Sequence, residues 1–395
     1  MSDRPVGKPR AMPLAAGAVV IGLALSAWTW SSDPSQLLAG YLTAWLAALE
    51  VVLGVHVLRW LNNLTGGAWG VPVRRIAPAA RALLPLLAVA FMPIALSLAE
   101  LYPWAAPEAA SDKLLQHKRP WLNPDGFQIR AIVYFAIWTL ADLWIVRLER
   151  IARESPSEDT ERRLRIRSAQ ALLLYGLSMT FASVDWAMSL EPHWYSAAYG
   201  VIVVIGQGLG ALAFTTLATA VIQAAREVSH DHDAHHHEEH EHHQEDGHGK
   251  PPVLQDLGNL LLAFTMLFTY VSFSQFLIIW FGDLPEEVVW YVRRIEHGWQ
   301  WVAGALALLH FGAPFATLLS RRAKRTPQIV GAIAAGLLFM RWVDTVWKVG
   351  PARDGGAALT FAMYLGPALL VGGLVGGALA MLIARDVRAD ESLQR

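Results

Sequence analysis

Residues 38–60 read LAGYLTAWLAALEVVLGVHVLRW. At 1.5 Å of rise per residue, an apolar run of about 20 residues matches the roughly 30 Å hydrocarbon thickness of a bilayer. This run also carries Glu50 near its middle and His56 further along. It therefore reads as a membrane span that keeps ionisable groups at bilayer depth. Nine more stretches of similar character lie at 11–30, 80–100, 127–147, 168–190, 196–222, 254–281, 297–319, 327–347 and 357–384. The expected fold class is all-α integral membrane, with about ten transmembrane helices in a single polytopic domain.

Composition agrees. The chain has 395 residues, of which 54% are hydrophobic and only 16% charged, against about 25% charged in soluble domains. Mean hydropathy is +0.34. A net charge of -1 gives no reason to expect a nucleic-acid partner. The absence of Cys excludes disulfides, thiolate zinc sites, Cys-ligated iron–sulfur clusters and covalently attached haem on this chain. The first span reads as retained rather than cleaved, because Trp28 and Trp30 stand where a small-residue cleavage site belongs.

Lys and Arg set the expected orientation. Arg74 and Arg75, the run Arg162, Arg163, Arg165 and Arg167, and the cluster Arg321, Arg322, Lys324 and Arg325 all fall on the side of the N-terminus. Both termini are thus expected in the cytoplasm. Trp28, Trp30, Trp104, Trp121, Trp194, Trp280, Trp290 and Trp347 gather near the opposite interface and read as an aromatic belt, or, being so one-sided, as a docking surface. On that outer side, loop 101–126 mixes Trp104, Lys113, His117, Trp121 and Asn123 with prolines and is expected to be ordered against the membrane. On the cytoplasmic side, 227–250 holds nine histidines among Asp and Glu. It reads as a disordered linker, with His235, His236, His237 and His240 as weak metal ligands.

Ionisable groups at bilayer depth cost several kcal/mol unless paired or hydrated, so each is a candidate site residue. Ordered by expected depth from the cytoplasm, they are Asp142 and His56, then Glu50 and His310, then Arg341, Asp344, Asp185 and Glu100. Glu and His are suited to proton relay, since burial raises a carboxyl pKa and imidazole titrates near 6.5. Arg341, Asp344, Thr345 and Lys348 share one helical face. Rows of polar groups at Tyr175, Ser178 and Asp185, and at Thr265, Thr269, Ser272 and Gln275, could carry ordered water or act as interhelical glue. Haem b needs two imidazoles at equal depth on facing helices. His56 and His310 differ by roughly 7 Å, so no resident haem is expected. Gly206, Gly208 and Gly210 read as close helix packing rather than a nucleotide loop.

One string carries a family likeness. Ser183-Val184-Asp185-Trp186-Ala187-Met188-Ser189-Leu190-Glu191-Pro192-His193-Trp194-Tyr195 resembles a stretch of the large membrane subunits of bacterial alternative complex III. So do Asp256-Leu257-Gly258-Asn259-Leu260-Leu261, the run Ser272-Phe273-Ser274-Gln275-Phe276-Leu277-Ile278-Ile279-Trp280, and Leu284-Pro285-Glu286-Glu287 with Trp290-Tyr291 and Arg293-Arg294. The likeness is densest over 180–300 and is most specific to the second of the two large subunits. These subunits are similar to the polysulfide-reductase membrane-subunit (NrfD-like) family, which implies two four-helix bundles with flanking helices. That family would place the bundle boundary after the fifth span, whereas the His-rich linker follows the sixth.

The resemblance implies a subunit of a quinol-oxidising respiratory complex in the bacterial cytoplasmic membrane. Its implied partners are a paralogous large membrane subunit, an iron–sulfur protein and cytochrome c subunits, which would hold the iron–sulfur and haem centres. This chain would then bind either no cofactor or a quinone alone, and would carry protons rather than electrons, with no catalytic residue of its own. Asp185 is the candidate that lies within the shared string. Three alternatives stand beside this reading, the plainest being an inert scaffold that tolerates neutral replacement of Glu50 and His310. In another the subunit is itself a quinone site near Asp185, His193, Arg341 and Asp344. In the third it is a secondary transporter built around midplane polar groups.

Overall fold

The computed structural model describes residues 11–234, 253–353 and 355–393. They are helical with short connections, and no strand occurs among them. Ten helices are long and apolar enough to cross a membrane: α1 Met12–Ser32, α2 Pro34–Thr65, α3 Gly70–Leu96, α4 Pro124–Glu154, α5 Glu158–Leu190, α6 Tyr199–Ala225, α7 Val253–Gly282, α8 Trp299–Leu318, α9 Pro327–Ala352 and α10 Ala357–Arg385. They run up and down, so their ends define a near end, where α1 starts, and a far end. His235, His236, His237 and His240 of the 227–250 tract lie outside the described residues.

Two four-helix groups make the body. In the first, α2 packs on α3 and α5, and α4 pairs with α5. In the second, α6 packs on α7 and α9, and α8 closes the ring against α7 and α9. The boundary between the groups thus falls after the fifth span. The groups meet where α2 lies against α6 and α9. These three are the most buried spans among the described residues. Outside the groups, α1 and α10 pair with one another, and α10 also leans on α2.

Close backbone approach holds the joint together. A Cβ on Gly54 of α2 would drive into the carbonyl oxygen of Gln207 on α6, and one on Gly22 of α1 into the backbone of α10 at Leu370. Such small-residue contacts are how helices associate where lipid removes the usual hydrophobic driving force.

Two boundaries differ from the sequence reading for physical reasons. First, α3 starts at Gly70 rather than near 80, because Pro78 and Pro85 are held inside the helix. Membrane helices tolerate proline where neighbouring groups satisfy the freed carbonyls. Second, α4 and α5 run past the apolar stretch and are joined by only three residues, 155–157, so the basic run at 162–167 is helical rather than loop. A capping box at Ser157 and Thr160, with Asp159–Arg163 and Glu161–Arg165 pairs, carries the helix into polar sequence.

The aromatic belt is also partly corrected. Trp28, Trp30, Trp121 and Trp280 are exposed, but Trp104, Trp194 and Trp290 are buried in the body. The indole N–H groups of Trp104 and Trp194 find acceptors on Ser189 Oγ (3.1 Å) and the Glu287 carbonyl (3.1 Å), which lets these rings leave the interface.

Replacing Gly54 by Ala should destabilise the joint by about 1–3 kcal/mol through overpacking. Gly176→Ala, with open space around its Cβ position, should be silent. Thermal unfolding of the detergent-solubilised variants measures both.

Candidate functional site

At the centre of the joint, Arg341 of α9 faces Glu50 of α2 in a two-point contact, Nε to Oε1 and Nη2 to Oε2, each 2.8 Å. Its third nitrogen, Nη1, donates to Asp344 Oδ2 at 2.9 Å. Asp344 also accepts from Lys348 Nζ at 2.5 Å. The four charges balance, and Glu50, Arg341 and Asp344 are all buried. Glycines make the room: a Cβ on Gly206 would collide with the Arg341 guanidinium, and one on Gly210 with the Glu50 carboxylate. The close packing expected of these glycines thus serves an ion pair rather than a bare helix contact.

Phe268 of α7 floors this cluster, with its ring centroid 4.5 Å from Arg341 Cζ and 5.5 Å from Lys348 Nζ. The His310 ring stands edge-on to the same phenyl at 5.1 Å. It rides on a π-helical turn, Leu306–Gly312, inside α8, a deformation common at functional positions. His310 is 4% exposed, and its Nε2 has no hydrogen-bond partner. On the other side of Glu50, Tyr175 donates to Gln207 Oε1 at 2.6 Å, and Gln207 Nε2 in turn contacts Met179 Sδ at 3.4 Å.

Nearer the α1 start, a second cluster surrounds Asp142 of α4. Arg59 reaches Oδ1 and Arg81 reaches Oδ2 at 2.7 Å. His56 Nδ1 lies 2.8 Å from Oδ1, close enough for a charge contact but out of line for a hydrogen bond. Arg59 also approaches Glu149 at 3.5 Å. His56 and Glu50 are six residues apart on α2, about 9 Å along the helix. Val52, Leu53 and Val55 are fully buried in that interval. The ladder expected from the sequence is therefore two clusters with an apolar gap.

Asp185, at the far end of α5, belongs to a third cluster. Arg130 clamps both its oxygens (2.8 and 2.9 Å), Trp121 Nε1 donates to Oδ1 (2.9 Å) and Tyr134 to Oδ2 (2.8 Å). With four donors on a carboxylate of 0% exposure, Asp185 braces α4, α5 and the preceding loop. Beside it, Glu191 binds Arg294 Nη2 at 2.7 Å and Arg293 Nη1 at 3.2 Å. Arg294 also donates to the carbonyls of Trp290, Trp347 and Lys348 and lies 3.5 Å from the Trp290 ring centroid. Burial pulls its pKa down while Glu191 opposes that shift, and a guanidinium starts high enough to stay charged.

Two expected members do not join. Glu100 is exposed at the far end, and only its backbone carbonyl is used, by Arg353. His193 is exposed and pairs with Asp112 at 2.7 Å, not with Asp185, Arg341 or Asp344. The four residues grouped as a quinone site thus sit in three separate networks. The hydroxyl of Thr265 turns back on its own helix at Leu261. Gln275 bridges Ser196 and Tyr291 (3.0 and 3.3 Å), so that row links elements.

The sequence reading missed Arg59, Arg81, Arg130, Glu191 and Arg294. Arg59, Arg81 and Arg130 sit at or inside the ends of apolar stretches, where a cation is easily assigned to the interface. The signal was available in the carboxylates, since a buried Asp142 or Asp185 requires a cation. Among the described residues, no three His, Asp or Glu side chains come together as a metal site. No protein-family model matches this chain, and no curated protein matches its sequence.

Removing Arg341 leaves Glu50 and Asp344 facing only Lys348, so Arg341→Met should cost about 3–5 kcal/mol. Adding Glu50→Leu to it should recover much of that loss in detergent thermal melts. A separate pH effect is expected at the far end. The backbone N–H of Leu115 and then the His193 side chain hold the Asp112 carboxyl below its ordinary value of 3.8. A depressed carboxylate contributes above that value and is lost as the pH falls through its lowered one. The protection factors of the amides across 112–119, exchange rates corrected for the intrinsic pH dependence, should therefore hold at neutral pH and fall below about pH 4.

Proposed function

We propose that this chain is an integral subunit of a quinol-oxidising respiratory complex of the alternative complex III type. In this reading it resides in the bacterial cytoplasmic membrane with both termini inside, and it provides a proton-translocation path while partner subunits hold the redox centres. The resemblance over 180–300 supplies the complex, and the Lys and Arg distribution supplies the orientation. One observation carries the proton role: Arg341 is shared between a carboxylate of each four-helix group, Glu50 on α2 and Asp344 on its own α9.

A cation in that position can act as a switch. While it is clamped to Glu50, the carboxylate is neutralised and has no reason to take a proton. A small rotation of one group against the other lets the guanidinium lean wholly on Asp344. Glu50 is then a buried carboxylate without its cation, and burial favours its protonated form. Return of Arg341 expels that proton. His310, whose Nε2 has no hydrogen-bond partner, lies within electrostatic reach of the same Arg341, Asp344 and Lys348. On the near side, Asp142, His56 and the partly exposed Arg81 form the entrance. The Val52, Leu53 and Val55 layer keeps the path shut at rest, and conduction requires water to enter it.

The test is proton release per quinol oxidised in proteoliposomes of the intact complex. Glu50→Gln keeps the side chain's size and leaves Arg341 its Asp344 contact; the variant should melt lower than the wild type, but the complex that assembles should keep electron flow and lose the pumped protons. An unchanged proton ratio and rate would remove Glu50 from any path. Extraction in mild detergent separates the transporter reading: the subunit should migrate in a large assembly containing haem, whereas a transporter would run as a free chain.

A further inference from the structure

At the far end, between the short helix Lys113–Lys118 and the end of α5, lies a cleft of about 380 Å³. Its walls are mostly carbon, from Trp121, Val184, Met188, Pro192 and Tyr195, and its polar edge is His117 and Lys118. The size is in the range of small-ligand sites. Lys118 is half-buried, and its ammonium donates to the Pro192 carbonyl at 2.6 Å. Among the described residues, no carboxylate lies within ion-pair distance of it. His117 and Arg119 flank it and are exposed. The cleft thus presents a cation with no counter-ion in a largely apolar wall.

The cleft is also continuous with a lipid-facing stripe. The Trp121 ring lies 5.6 Å from that of Phe181, on the lipid-exposed side of α5. Phe181, Leu177 and Leu174 follow one another at helical spacing and are all about half exposed. A free anion would use the cation and leave this stripe idle, while a neutral ligand would use the stripe and leave the cation unbalanced.

We propose that the cleft binds an anionic glycerophospholipid, with its phosphate against Lys118 and His117 and an acyl chain along Phe181, Leu177 and Leu174. Burial lowers the Lys118 pKa from its ordinary value, and a bound phosphate opposes that shift. Because Trp121 also donates to Asp185, an occupied cleft presses on the brace that holds α4 and α5 together.

Native mass spectrometry of the delipidated full-length chain in detergent tests this, with dioleoylphosphatidylglycerol, dioleoylphosphatidylcholine and inorganic phosphate as probes. The wild type should retain phosphatidylglycerol over phosphatidylcholine. Lys118→Gln should weaken phosphatidylglycerol about tenfold, the worth of one charge-assisted hydrogen bond, and Lys118→Arg should keep it. If Lys118→Gln does not fold, the wild-type preference for phosphatidylglycerol must shrink with added salt, and a salt-insensitive preference overturns the proposal. Equal binding of the two lipids, or an unaltered Lys118→Gln, overturns it. Displacement of the lipid by an equal concentration of inorganic phosphate also overturns it, and assigns the cleft to free anions.

Discussion

The Glu50–Arg341 ion pair is the contact on which the architecture turns. It joins the two four-helix groups at the depth where an uncompensated charge is most costly. Its geometry dictates the residues around it. The approach of α6 to both side chains requires glycine at 206 and 210, and the surplus positive charge of Lys348 requires Asp344. A two-point Arg–carboxylate contact also has a preferred direction, which a Lys could not reproduce. The joint is thereby specified in register as well as in proximity.

The other charged clusters repeat the same solution with different consequences. Asp142 is shared among Arg59, Arg81 and His56 near one end, and Asp185 is saturated by Arg130, Trp121 and Tyr134 at the other. A carboxylate with four donors is locked, and a proton there would break several bonds at once. Glu50 differs from Asp185 in this respect: its partner Arg341 has a second carboxylate, Asp344, within reach on the same helix, as Arg59 of the Asp142 cluster has Glu149.

Much of this was legible in the sequence. Ten apolar runs, the depth of Glu50 and the shared face of Arg341, Asp344 and Lys348 follow from length and period alone. The partnership across α2 and α9 did not, because nothing local connects residues 50 and 341. His310 read as a midplane histidine, but its π-turn arises from tertiary packing and leaves no periodic mark. Glu100 was placed at the outer end of the apolar run 80–100, yet α3 ends at Leu96 and the helix there breaks. The buried indoles were assigned to an interface because tryptophan prefers both environments. Only the presence of acceptors at Ser189 and Glu287 separates them.

The pairing of α1 with α10 has a consequence for biogenesis. Helices enter the bilayer in the order they are synthesised, so the face of α1 around Gly22 meets lipid until α10 arrives to cover it. A chain truncated before α10 displays that small-residue groove permanently, a surface made for helices. Insertion of α10 is thus registered in the fold as the burial of one groove, a physical difference between chains that carry this helix in place and chains that do not.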